Sequence, residues 1–192
     1  MQYSHAKTYC PSAEARLKAL IMSDSPKFGS NELFKRFAEL SIPFKSHEHP
    51  PLRTVAESQA LRGQLPGAHI KNLFLRDKKR RYFLVTVSED REVDLKWLRG
   101  QIGARGSLSF GSADALLDLL GVETGAVTPL GVVNDVDGKV TAFLDKALVD
   151  TDPINAHPLR NDMTTALSAA DLLRFMEESG HPPGLIDFES DS

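Results

Sequence analysis

Lys71 sits in a run of strand-forming residues, His69-Ile70-Lys71-Asn72-Leu73-Phe74-Leu75, among neighbours typical of a core. A lysine there either snorkels at a sheet edge or offers a point charge to a phosphate or a developing oxyanion. The segment Gly125-Ala126-Val127-Thr128-Pro129 opens with a freely turning residue and closes with a rigid one. It is either a plain connection or a place where successive N–H groups converge on one oxygen. His157, in Asn155-Ala156-His157-Pro158, is either structural or an imidazole that orients a water or holds a substrate hydroxyl. His47 and His49, two apart on an extended piece, share one face and could meet a metal, but no third ligand is evident nearby. The plainer reading of that pair is a polar strand end before two prolines. No G-x-S-x-G, Walker A, H-E-x-x-H or dinucleotide-binding pattern is present.

Charge adds a second clue. The formal net charge of the 192 residues is only −3. Its distribution is uneven: residues 1–105 hold 19 lysines and arginines against 11 acids, whereas residues 106–192 hold 4 against 15. Either the basic half attracts phosphates while the acidic half faces away, or the halves interleave and the asymmetry cancels. Arg76, Lys78, Lys79 and Arg80, followed by Arg81, gather across one turn. They suit an RNA backbone, or simply a solvated turn. Phe74, Tyr82 and Phe83 are expected to point inward, which leaves no base-stacking platform. Cys10 is the sole cysteine, so an internal disulfide and a cysteine zinc site are excluded, which fits a reducing compartment. No apolar run approaches the roughly 20 residues of a membrane span. The first 22 residues lack the basic start and apolar core of a signal peptide, and Met22 is a second candidate start.

The elements that must position these residues read as follows. A helix is expected over 31–40, capped by Ser30, with Leu33, Phe37 and Leu40 on its buried face. Phe44–His49 is extended. Thr54-Val55-Ala56-Glu57 is a capping box that starts a short helix ending near Gly63. Residues 64–68 form a loop, and His69–Arg76 and Tyr82–Ser88 form a hairpin. Val93–Arg99 is a short helix and Ser107–Phe110 a strand. Ser112 caps a helix that buries Leu116, Leu117, Leu119 and Leu120 and stops at Gly121. Leu130–Asn134 and Val140–Leu144 are expected to pair through a turn at Asp137-Gly138. Ile154–Leu159 is extended, and Thr164–Leu167 is one more strand. Ser168 caps the last helix, which ends at Gly180. The pattern is α+β: a mixed, largely antiparallel sheet surrounded by short helices. Residues 1–25 form an N-terminal extension, 26–180 the domain, and 181–192 an acidic, frayed tail.

In order, several pieces resemble one family. They are Glu48-His49-Pro50-Pro51 with Thr54-Val55-Ala56-Glu57, the run from His69 to Asp77, the Gly-x-x-x-Pro loop at 125–129, and Asn155-x-His157-Pro158. The ending Asn161-Asp162-x-Thr164-Thr165-Ala166-Leu167, then Asp171-Leu172-Leu173-Arg174-Phe175, completes the set. Together they are similar to the prolyl-tRNA synthetase editing-domain superfamily, which includes freestanding YbaK-type proteins. The likeness spans residues 30–178, and its ending looks most like the freestanding Ala-tRNA(Pro) deacylases. The resemblance implies hydrolysis of alanine from mischarged tRNA(Pro), with serine or cysteine, another tRNA, or a non-catalytic tRNA- or synthetase-binding module as the other readings. It implies that Lys71 anchors the terminal phosphate and holds the ester, with Asn72 in support. The backbone of Gly125, Ala126, Val127, Thr128 and Pro129 would hold the substrate, and His157 would position the ester or a ribose hydroxyl. Arg76, Lys78, Lys79 and Arg80 would contact the tRNA. No cofactor and no metal are implied. The implied partners are the acceptor end of tRNA(Pro) and prolyl-tRNA synthetase or an elongation factor, in the cytoplasm and without a membrane.

Overall fold

The computed structural model describes residues 27–51 and 65–189. The N-terminal extension and the helix expected after Thr54 lie outside the described residues. Strand β2 (Ala68–Arg76) and strand β3 (Tyr82–Ser88) pair antiparallel, in unbroken register from Ile70 opposite Ser88 to Arg76 opposite Tyr82. Alternation sends Ile70 and Phe74 of β2 to one face and Leu73 and Leu75 to the other. Both faces are covered, so the hairpin forms the middle of the domain.

The remaining strands are β1 (Lys45–Glu48), β4 (Ser109–Phe110), β5 (Val140–Asp145), β6 (Ile154–Ala156), β7 (Met163–Leu167) and β8 (Gly184–Ile186). Their order across the sheet is β1-β7-β6-β2-β3-β5-β8, with β4 also paired to β2. The β2–β6, β3–β5 and β5–β8 pairs are parallel and the others antiparallel. This is the mixed α+β sheet with short helices that the sequence predicts. The acidic second half of the chain supplies β5 and β6, which lie beside β3 and β2 of the basic half. The halves therefore interleave.

Helix α1 (Ser30–Glu39) buries Leu33 and Phe37. Its N-cap is Gly29 rather than Ser30, because the Ser30 hydroxyl is engaged elsewhere, donating to the Pro158 carbonyl at 2.6 Å. Helix α2 (Leu95–Gln101) is capped by Asp94 and buries Leu98 in the smaller core on the opposite face. Helix α3 (Ala113–Leu120) begins at the Ser112 cap and stops at Gly121, φ +65°. Leu117, expected in the core, is 55% exposed, since Leu116, Leu119 and Leu120 already fill the inward arc. Helix α4 (Ala169–Glu178) starts at Ser168, which accepts from the Asp171 N–H at 3.0 Å.

Two expectations need correction. Pro129–Asn134 is a 3-10 helix, not a strand. Pro129 has no N–H for a ladder and suits a first helical position. Thr128 caps it, accepting from the Leu130 N–H at 3.3 Å. With no partner strand there, β5 pairs with β3 instead. The acidic end, expected to fray, is tied into the sheet by β8, which runs parallel to β5.

His181 makes the second tie. It is buried, and its Nε2 donates to Asp135 at 2.9 Å while its Nδ1 donates to the Ser179 carbonyl at 2.9 Å. Both acceptors demand a proton, so the ring is an imidazolium. Burial alone would lower the His181 value, but the Asp135 hydrogen bond and the Ser179 carbonyl outweigh it and raise it. Asp135, although buried, is held low by His181 and by the Val140 N–H. A raised folded value means that the His181 contribution is complete below the ordinary imidazole value and fades as pH rises through the folded one. Asp135 contributes oppositely, losing its share only in strong acid. His181→Gln should cost about 3 kcal/mol at pH 6. In urea unfolding the gap from wild type should narrow by pH 9, and a gap constant with pH would show a neutral ring.

Candidate active site

Strand β2 is paired at both ends of one edge and left open between. Its even-numbered residues turn their backbone groups to that edge: Ala68 N–H donates to the Pro153 carbonyl at 2.8 Å, and the Phe74 carbonyl accepts from Gly111 N–H at 2.9 Å. Strand β6 reaches only Ala68 and His69, and β4 only Leu75 and Arg76. The backbone N–H and C=O of Asn72 therefore face a stretch with no strand beside it among the described residues.

Lys71 lies beside this opening on β2. His69 pairs with Asn155 in parallel register, and Lys71 and His157 each follow that last pair by two residues. Lys71 is half-buried and makes no hydrogen bond or ion pair among the described residues. His157 is also half-buried, and its Nδ1 lies 3.0 Å from the Met163 carbonyl. A carbonyl only accepts, so Nδ1 carries the proton and Nε2 keeps a lone pair, with no partner among the described residues. Burial holds His157 below the ordinary imidazole value, opposed by the Met163 carbonyl and reinforced by His49. The ring is thus neutral at pH 7.

Asn72 points to the other face and clamps the Gly125–Pro129 loop. Its Nδ2 donates to the Val127 carbonyl at 2.9 Å, and its Oδ1 accepts from the buried Thr86 hydroxyl at 2.7 Å. In the loop, Gly125 has φ +93°, a value that side chains resist. Ala126 N–H is spent on the Glu123 carbonyl at 3.0 Å. The N–H groups of Gly125, Val127 and Thr128 have no partner among the described residues. The loop also approaches the turn after His157: a Cβ on Gly125 would lie 3.6 Å from Asn161 Nδ2.

His49 is a neighbour that spacing alone did not assign to this site. Its ring lies 6.4 Å from that of His157, centre to centre. Nδ1 donates to the Pro50 carbonyl and Nε2 accepts from the Thr164 hydroxyl, both at 2.9 Å. His47 instead lines a pocket of about 470 Å³ with Phe44, Lys45, Pro66, Asn155 and Ala166. That volume lies within the range of small-ligand sites. Among the described residues no three histidine, cysteine or acidic side chains gather to hold a metal.

The structure does not bring the basic turn into this cluster. Arg76 lies five residues along β2 from Lys71, about 17 Å away. The turn is organised by Asp77, which the sequence reading passed over. Asp77 is buried and accepts from the N–H groups of Lys79, Arg81 and Arg105 and from the Arg81 guanidinium. Burial would raise its carboxyl, but these five donors hold it well below the usual range. Arg81 is thereby paired inward, while Lys78, Lys79 and Arg80 are left exposed.

The Thr86–Asn72–Val127 relay gives a direct test. Thr86→Val keeps the shape but strips Asn72 of its donor. It should cost about 1–3 kcal/mol in urea unfolding and speed amide exchange at 125–128. Unchanged exchange there would mean that Asn72 does not hold the loop.

Known proteins resemble this chain over most of its length. A family model described as the aminoacyl-tRNA editing domain matches residues 49–175. A Bos taurus protein, prolyl-tRNA synthetase associated domain-containing protein 1, is 40% identical over 161 residues, covering 82% of this chain and 94% of its own. The prolyl-tRNA editing protein ProX of Acetoanaerobium sticklandii is 38% identical over 144 residues, covering 74% and 87%. A crystal structure described as a candidate trans-editing enzyme for prolyl-tRNA synthetase shares the fold, with a TM-score of 0.59 at 22% identity over 94% of this chain and 98% of its own.

Proposed function

The chain belongs to the aminoacyl-tRNA editing domain family, and from that membership we propose that it is a trans-editing deacylase that hydrolyses the ester of mischarged tRNA(Pro), with alanine as the amino acid. The observation that carries this reading is the Nε2 lone pair of His157, unshared among the described residues, together with the Lys71 side chain, also without a partner among them, on the strand that pairs with His157's own. The name of the ProX relative supports the same chemistry.

In this reading Lys71 holds the phosphate of the terminal nucleotide. Nε2 of His157 accepts a hydrogen bond from the free ribose hydroxyl. The N–H groups of Gly125 and Val127 bind the carbonyl oxygen as its charge grows during water addition, while Thr128, fully buried, acts only by holding the loop. The bond from the carbonyl carbon to the ribose oxygen then breaks, and a proton from the attacking water ends on that oxygen. The substrate's neighbouring hydroxyl orients the water, so no side chain acts as a strong base. Asn72 acts by fixing the loop. Proline is rejected by size, since a pocket excludes a larger side chain better than it penalises a smaller one. Arg76, Lys78, Lys79 and Arg80 contact the tRNA backbone. Prolyl-tRNA synthetase or an elongation factor delivers the substrate in the cytoplasm. The reading gives no metal a part in the reaction.

Deacylation of Ala-tRNA(Pro), compared with Pro-, Ser- and Cys-tRNA(Pro) and Ala-tRNA(Ala), tests the reading. Rapid loss of alanine with proline spared is expected. Hydrolysis of none of them, with tRNA still bound, would leave a binding module. Lys71→Ala should lower kcat/KM at least about a hundredfold while melting like wild type, and near-normal turnover would refute its role.

The His157 environment sets the pH profile. Acid protonates Nε2 and removes its acceptor, so the rate should fall only below the ordinary imidazole value of about 6.5 and stay level above it, once uncatalysed hydrolysis is subtracted. A fall centred above that value would contradict a neutral ring. The rate should also persist in EDTA.

A further inference from the structure

We propose that Phe110 is a stacking platform for an unpaired base in the 3′ tail of an RNA substrate, just upstream of the aminoacylated nucleotide. The proposal rests on the deacylase reading for where that tail ends. Phe110 is 64% exposed, and it makes no ring contact among the described residues. The aromatics nearest it along the hairpin are turned in: Phe74 and Phe83 are buried, and Tyr82 stacks on Phe74 at 5.3 Å. Single exposed apolar side chains are common on protein surfaces, so the position of this ring carries the argument.

Its position specifies what covers it. Phe110 pairs with Leu75, so it shares the face of Leu75, Leu73 and Lys71. It also lies on the edge of β2 that is open at Asn72. Four strand residues separate the Leu75 level from Lys71, about 13 Å. Phe110 and Lys71 therefore lie on one face along one edge. Exposed cations flank the Phe110 end of that edge. Lys78, Lys79 and Arg80 lie in the turn, and Arg105 is bound to it through the Lys78 N–H to Arg105 carbonyl bond of 3.2 Å. The acid within the turn, Asp77, is spent inward. An aromatic face beside a row of phosphate-binding cations is the chemistry of single-stranded nucleic-acid grooves.

The backbone keeps this ring in place. Gly111 N–H donates to the Phe74 carbonyl, and a Cβ on Gly111 would lie 2.4 Å from the Phe74 ring. Only glycine lets β4 lie so close to β2.

Binding of fluorescein-labelled, uncharged tRNA(Pro) transcript tests the proposal without requiring catalysis. Phe110→Ala should weaken binding of the full transcript roughly five- to a hundredfold, and Phe110→Trp should retain it. With the unpaired 3′ nucleotides removed from the RNA, wild type and both variants should bind alike. Equal binding of full transcript by wild type and Phe110→Ala overturns the proposal. So does an equal loss for both RNAs. If wild type deacylates no aminoacyl-tRNA yet Phe110→Ala shows the tail-dependent loss, the deacylase reading fails and the platform stands. If wild type is active and Phe110→Ala binds normally, only the platform fails.

Discussion

Strand β2 has two neighbours on one edge, and they reach it from different directions. Strand β6 runs parallel to it and leaves after His69, whereas β4 runs antiparallel and joins only at Leu75. Backbone groups in a covered sheet normally find partners, and the stretch around Asn72 is where the described residues of the fold leave this edge of β2 unpaired. The same parting follows directly on Asn155 and carries the chain on to His157, while Asn72 holds the Gly125–Pro129 loop on the opposite face. A continuous β6 would pair the edge and remove the site.

What was legible in the sequence follows from the range of each interaction. The β2–β3 hairpin, the Ser112 and Ser168 caps and the Gly121 stop depend on residues a few positions apart, and their patterns are local. The errors fall where a distant partner decides. Leu130–Asn134 alternates well enough for a strand, but β3 takes β5 as its neighbour and leaves that segment none. Ser30 is a good cap by type, yet Pro158 claims its hydroxyl. The chain after Gly180 looks like a tail until β5 and Asp135 are brought beside it.

The candidate site divides the same way. Lys71, the loop and His157 stand out by residue type and order. Their relation does not, because it depends on the offset between β2 and β6. Adjacent residues of a strand face opposite sides, so Lys71 and Asn72 are neighbours in sequence and act on different surfaces. Asn72 becomes intelligible only once Thr86 lies opposite it and Val127 behind it. His49 and His157 are far apart in the chain and meet through β7, where Thr164 holds one ring and the Met163 carbonyl the other. Phe110 carries no signal at all until its exposure is known.

The electrostatics explain how a chain of net negative charge can present a cationic surface. Asp77, Asp135 and Asp145 are buried, and each is satisfied by a cation and by backbone N–H groups. Acids of this kind count in the formal charge but project little field into solvent, because their partners lie against them. Lys78, Lys79 and Arg80 have no such partners and face water. The local field at the hairpin turn is therefore set by groups that the net charge conceals. At the other end of β2 the constraint is reversed: burial keeps His157 neutral, so the fixed positive charge there among the described strand residues is Lys71. In the proposed reading, a neutral acceptor and a fixed cation at one opening would let a single extended ligand be held by its hydroxyl and its phosphate at once.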